Sequence, residues 1–220
     1  MSKADGASQG LQPGSVTSVG KLKSFWPWWI LLTTLGYAVG LGLDEALYSV
    51  TGTALSGVAA GLGNIALYGA VVGGVSGTLQ ALLLRGRIER SHLWALASMA
   101  GGAIGFILGA AAGEAASNAI GLRLAVYTTG AIITAGAIVE GLFGALWGAG
   151  TGVAQWLLIR GRIHNAAAWV PASIVGLTLG SSMPGLTQVI SLPFLAVWIG
   201  AGVGLMLGLT QWLWARRIAW

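Results

Sequence analysis

Four carboxylates in this chain could carry proton or cation chemistry: Asp44, Glu45, Glu114 and Glu140, with Arg123 as a countercharge. Each acid stands toward the end of a long apolar run. Together they could form a vestibule that gathers a cation or hands on a proton; read as ordinary charges on helix ends they do neither, and the second reading is the simpler one. Three amides form another set. Gln80, Gln155 and Gln211 each close a Gly-x-x-x-Gly-x-x-Gln motif, and each is followed five residues later by Arg. Such amides in an apolar run either line a pathway as hydrogen-bonding rungs or lock one helix to another, and locking is expected here. His92 and His164 fall in short polar connectors, where a solvated imidazole is the ordinary case rather than a metal, haem or chlorophyll ligand. The chain has no Cys, which removes disulfides, thiolate metal sites and cysteine nucleophiles. No phosphate loop, dinucleotide fingerprint or zinc-ligand spacing occurs. Neither a metal nor a cofactor is expected.

Gly74-Val75-Ser76-Gly77 is similar to the Gly-x-Ser-Gly of the rhomboid intramembrane proteases, which also have six spans. Those enzymes pair the serine with a histidine on the last core helix, and here no histidine follows His164. Ser76 therefore lacks the base that would raise its nucleophilicity. The other two motif copies have Thr151 and Leu207 at its place, so Ser76 reads as a small packing residue. The chain is not expected to be an enzyme.

The elements that must position these residues follow from composition. Charged residues are 8% of the chain and apolar residues 55%, with a mean hydropathy of +0.80, so lipid rather than water is the expected main solvent. At about 20 residues per span, 220 residues hold some six spans and no separate globular domain. The repeated motif is Gly73/Gly77/Gln80/Arg85, Gly148/Gly152/Gln155/Arg160 and Gly204/Gly208/Gln211/Arg216. A second element precedes it: Trp29, Gly36 and Gly40 share their spacing with Trp94, Gly101 and Gly105 and with Trp169, Gly176 and Gly180. The predicted fold is all-α, a polytopic membrane bundle of six transmembrane helices arranged as three tandem two-helix repeats. The repeats run over about 25–88, 92–163 and 168–218, with spans near 26–47, 66–85, 93–114, 137–159, 169–185 and 194–215. Residues 1–24 read as a flexible cytoplasmic tail and 25–220 as one transmembrane domain whose first span is uncleaved.

Gln80 to Trp94 and Gln155 to Trp169 are the same distance apart, whereas the Trp-to-Gln separation within a unit varies, so one face has fixed connectors. That face carries Arg85, Arg87, Arg90, Arg160, Arg162, Arg216 and Arg217, and the positive-inside bias makes it cytoplasmic, with both termini there. The expected setting is a bacterial plasma membrane or an internal photosynthetic membrane. The net charge of +5 points to anionic lipid headgroups, met by Arg85, Arg87, Arg160, Arg162, Arg216 and Arg217, and not to nucleic acid. Nine of the tryptophans, among them Trp29, Trp94 and Trp169, cluster toward this side and are expected in the headgroup layer.

Positions i, i+4 and i+7 share a helix stripe, so the glycines and Gln of each motif face one way and invite a neighbouring backbone. Gly101, Gly105, Gly109 and Gly113 form an unbroken stripe in the third span. A pseudo-threefold ring satisfies every stripe, closed either as a solid bundle or around a cavity. The segments Gln155-Trp156-Leu157-Leu158-Ile159-Arg160 and Gln211-Trp212-Leu213-Trp214, with Ala168-Trp169-Val170, resemble a glycine-rich multi-span membrane protein family of bacteria, notably cyanobacteria and Chloroflexota. The resemblance covers most of 25–218, departs in repeat one where Ala81 follows Gln80, and implies a membrane bundle without assigning a catalytic or ligand residue. The expected function is a non-catalytic integral membrane protein, self-contained or an accessory subunit of a larger complex, or self-associating, through small-residue faces. The alternative is a small-solute or ion transporter with a cavity between the repeats.

Overall fold

The computed structural model describes residues 25–51, 58–121, 129–163, 165–182 and 195–215, with the side chains at 44–45, 47–51, 58–60, 121, 129–132, 195 and 215 excluded. The expected tail at 1–24, together with Arg123, His164, Arg216, Arg217 and the side chains of Asp44 and Glu45, lies outside the described residues. Among the described residues six α-helices occur in order: α1 (Phe25–Thr51), α2 (Val58–Leu84), α3 (His92–Gly121), α4 (Thr129–Ile159), α5 (Trp169–Ser182) and α6 (Leu195–Ala215), with a 3-10 turn at Ala166–Ala168. Their sequences are Leu, Ala, Val and Gly runs. Pro27 and Pro171 stand in the first turns of α1 and α5, where the missing N–H has no helical partner to lose.

Among the described residues, four stretches are long and apolar enough to cross a membrane: Gly61–Leu84, His92–Ile120, Ile133–Ile159 and Ala196–Trp214, while Ala166–Ser182 is a shorter apolar stretch. Large apolar side chains such as Leu35, Ile104, Leu108, Ile138, Leu157 and Leu179 are exposed on the outer surfaces of the helices, an arrangement compatible with insertion in lipid. Several helices run past the expected span limits at the end remote from the arginines. α2 begins at Val58, α3 continues to Gly121 and α4 begins at Thr129. Glu114 and Glu140 are good helix formers, so a charge there does not end the helix.

The connectors at the arginine end are alike. Beyond α2, the N–H groups of Arg87 and Ile88 both donate to the Leu84 carbonyl, each at 3.0 Å; beyond α4, those of Arg162 and Ile163 donate to Ile159 at 2.9 and 3.1 Å. Gly86 takes the left-handed φ of +77° that lets α2 stop there. Ten residues after Gln80 and Gln155, Arg90 and Asn165 adopt φ of 59° and 58°. Asn tolerates this region, while Arg is strained in it.

Each helix packs on the next in chain order and α6 packs back on α1, giving a closed ring. Glycine sets the close approaches within each hairpin. A methyl on Gly36 would lie 2.6 Å from Ser76 Cα, on Gly101 2.8 Å from Thr151 Cα, and on Gly176 2.6 Å from Leu207 Cα. Gly105 and Gly109 also face α4, at Trp147 and Phe143, and Gly113 lies beside Val139. Between hairpins, Gly73, Gly148 and Gly204 meet the carbonyl oxygens of Ser98, Ser173 and Thr33. One turn earlier, Gly69, Gly144 and Gly200 meet those of Gly102, Leu177 and Tyr37. Gly77 and Gly152 continue the row against Ser98 and Ser173, and Gly208 against Ile30. The glycine faces singled out from sequence are thus occupied by the chain's own helices.

Candidate functional site: a buried indole and amide layer

Near the arginine end, Trp29, Trp94 and Trp169 turn toward one another in the middle of the ring. Their ring centroids are 6.1 Å (29–94), 5.6 Å (29–169) and 5.7 Å (94–169) apart, and every pair meets edge to face at 73–78°. This geometry suits the aromatic quadrupole, with each positive edge on a negative face. All three are at most 4% exposed. They are therefore not headgroup anchors, which corrects the expectation from sequence. An indole is amphipathic enough for either site, and what decides here is a buried acceptor for its N–H. Among the described residues, Trp28, Trp198 and Trp214 are the tryptophans most exposed on the surface.

The acceptors are the three amides. Trp94 Nε1 donates to Gln80 Oε1 at 2.9 Å, Trp169 Nε1 to Gln155 Oε1 at 2.7 Å, and Trp29 Nε1 to Gln211 Oε1 at 2.9 Å. Each amide nitrogen then reaches a hydroxyl on the first helix of its own hairpin: Gln80 to Thr33 at 3.0 Å, Gln155 to Ser98 at 2.9 Å and Gln211 to Ser173 at 3.2 Å. These hydroxyls stand four residues after the three tryptophans, on the same helix faces. Ser98 and Ser173 direct their own protons to the Trp94 and Trp169 carbonyls, at 2.8 and 2.9 Å, leaving a lone pair for the amide. Gln155 Nε2 also approaches Gln80 Oε1 at 3.3 Å. Each Gln, buried to 5% exposure or less, thereby ties its own hairpin to the next, and Gln211 ties the last to the first.

Among the described residues, apolar clusters pack against this layer on both sides. Toward the arginines, Phe25, Leu84, Ile159 and Ala166 pack on the tryptophans, and the first three line a void of about 10 Å³, no more than the lower limit for one water. Arg87 lies over the Phe25 ring, 4.2 Å from its centroid. In the other direction Tyr37, Val72, Trp147, Leu177, Val203 and Leu207 form the next cluster, with Leu41, Phe106, Phe143 and Ile199 beyond it. Trp147 Nε1 is buried there with no hydrogen-bond partner. Ser76 Oγ bonds back to Val72 and Gly73 carbonyls at 2.8 and 3.2 Å, as Thr151 does to Trp147 and Gly148.

Glu114 is exposed on α3 and Glu140 half-buried on α4; each follows a member of the Gly113–Val139 contact, so both stand at one level. Glu140 is about 30 Å along α4 from Arg160. Arg85, Arg87, Arg160 and Arg162 are exposed, and Arg162 pairs with Glu89 at 3.2 Å between the two connectors. That pair is solvent-facing and contributes at most about 1 kcal/mol. Among the described residues no group of three or more His, Cys, Asp or Glu side chains could hold a metal ion. Trp147, Thr33, Ser98 and Ser173 were not legible as site residues; the hydroxyls could have been found from their fixed place one turn after each Trp. No family model, curated protein or solved structure matches this chain.

Proposed function

We propose that this protein is a self-contained, non-catalytic integral membrane protein: six crossings in three tandem hairpins, closed into a ring, with both termini on the cytoplasmic side of a bacterial membrane. The observation that carries this reading is the occupied interior at the Gln layer and in the clusters on either side of it, among the described residues. The buried amides, indoles and hydroxyls of the Gln layer are bonded to one another, and the adjoining clusters are packed with aromatic and branched side chains. A transport pathway between the hairpins needs polar groups that face water, whereas these face each other. An accessory role through glycine faces finds less support, because the stripes are used in closing the ring. The outer surface is left to lipid, with arginines at the cytoplasmic rim facing anionic headgroups.

Reconstitution into vesicles loaded with pH- and cation-sensitive dyes tests the proposal. Leak rates equal to those of protein-free vesicles are expected. A flux that Gln155→Leu abolishes while the protein stays assembled would instead establish the transporter reading.

A further inference from the structure

We infer that the arginine end of α4 is a seat for one anionic phospholipid, its phosphate on Arg160 and an acyl chain along Val153 and Leu157; the inference rests on the membrane reading above. Arg160, the first residue after α4, is exposed; its N–H donates to the Trp156 carbonyl at 2.8 Å and its guanidinium lies 5.7 Å from the centroid of the Trp156 ring. The ring steadies the guanidinium, and the planar fork of N–H donors matches a phosphate in bidentate fashion. Leu157 and Val153, 49% and 41% exposed, continue the same helix surface one turn apart and offer an apolar track below the charge. The surrounding field favours an anion. Among the described residues of the two connectors there are five arginines against one acid, Glu89, and that acid is taken by Arg162. Arg160 itself faces no carboxylate among the described residues.

The chain contains its own control. Arg85 holds the corresponding place just after α2, but Ala81 stands where Trp156 does and is buried, so the same charge has no ring four residues before it. The two positions separate a built seat from net charge alone.

The full-length chain, purified in a neutral detergent, is titrated with dioleoyl phosphatidylglycerol and with dioleoyl phosphatidylcholine and the bound lipids are counted by native mass spectrometry. One phosphatidylglycerol is expected to bind in preference to phosphatidylcholine. Arg160→Gln is expected to weaken it about fivefold, Arg160→Lys to an intermediate degree, and Arg85→Gln by less than about twofold. Millimolar inorganic phosphate is expected not to displace the lipid. Wild-type affinity in Arg160→Gln, an equal loss in Arg85→Gln, or displacement by free phosphate would each overturn the seat. A chain that stays dispersed without detergent and binds neither lipid would contradict the membrane reading itself.

Discussion

Two layers of the ring interior, about 12 Å apart along the helices, obey different rules. In the layer near the arginines the three hairpins carry the same groups: Trp29, Trp94 and Trp169, then Thr33, Ser98 and Ser173, with Gln80, Gln155 and Gln211 between them. In the next layer the hairpins differ. Trp147 stands where the motif register puts Val72 and Val203, and Gly102 where it puts Tyr37 and Leu177, so the second hairpin is large on one helix and small on the other. The contrast follows from the interactions. A hydrogen bond between buried groups needs a donor and an acceptor at fixed positions, and losing either leaves the other unpaired in an apolar medium. Dispersion needs only that the volume be filled, so one large side chain can replace two of middle size. Polar order is repeated, and apolar volume is shared out.

The largest expected effect comes from breaking the repeated layer. Trp94→Ala removes one edge-to-face partner from both neighbours and leaves Gln80 Oε1 only the longer bond from Gln155, with an expected loss of about 3–5 kcal/mol in denaturant titration of the detergent-solubilised protein. A loss below about 1 kcal/mol would mean that this layer is no more demanding than the other. Gln155→Leu keeps the volume but leaves the Trp169 N–H without its acceptor, and a smaller loss of about 1–3 kcal/mol is expected. The smallest effect sharpens the comparison directly. Trp147→Phe removes an N–H that has no partner, so only the lost ring volume counts, and a loss of about 1–2 kcal/mol is expected. Trp94→Phe, which does break a bond, should cost more in the same assay, and the reverse order would dissolve the distinction between the layers.

The sequence made much of this layer legible because the bond itself leaves a mark on spacing. Gln80 and Gln155 lie 14 residues before the tryptophans that donate to them, and a connector of one length between successive hairpins holds both pairs. The third bond leaves no such mark: Trp29 and Gln211 are 182 residues apart and meet only because the ring closes. Which way an indole near a basic connector turns was also unreadable, since the headgroup layer and a buried amide both suit its N–H. Gly69, Gly144 and Gly200 stood in view one turn before the motif and extend its stripe. Trp147 could not be inferred from the repeat, because its position belongs to the layer in which volume alone is constrained. As for the acids, the structure brings Glu114 and Glu140 to one level on neighbouring helices, a relation set by the Gly113–Val139 contact and invisible in a sequence separation of 26 residues.

Ring closure between the first and last helices is the claim on which the rest depends, and the absence of native cysteine allows it to be tested without background. A methyl on Gly42 of α1 would lie 3.0 Å from Val197 Cγ2 of α6, within disulfide reach. With Gly42→Cys and Val197→Cys in one chain, mild oxidation in native membranes should give an intramolecular disulfide, seen as a monomer of increased electrophoretic mobility that reverts on reduction. Free thiols after oxidation, or a disulfide found only between two chains, would contradict the closed ring.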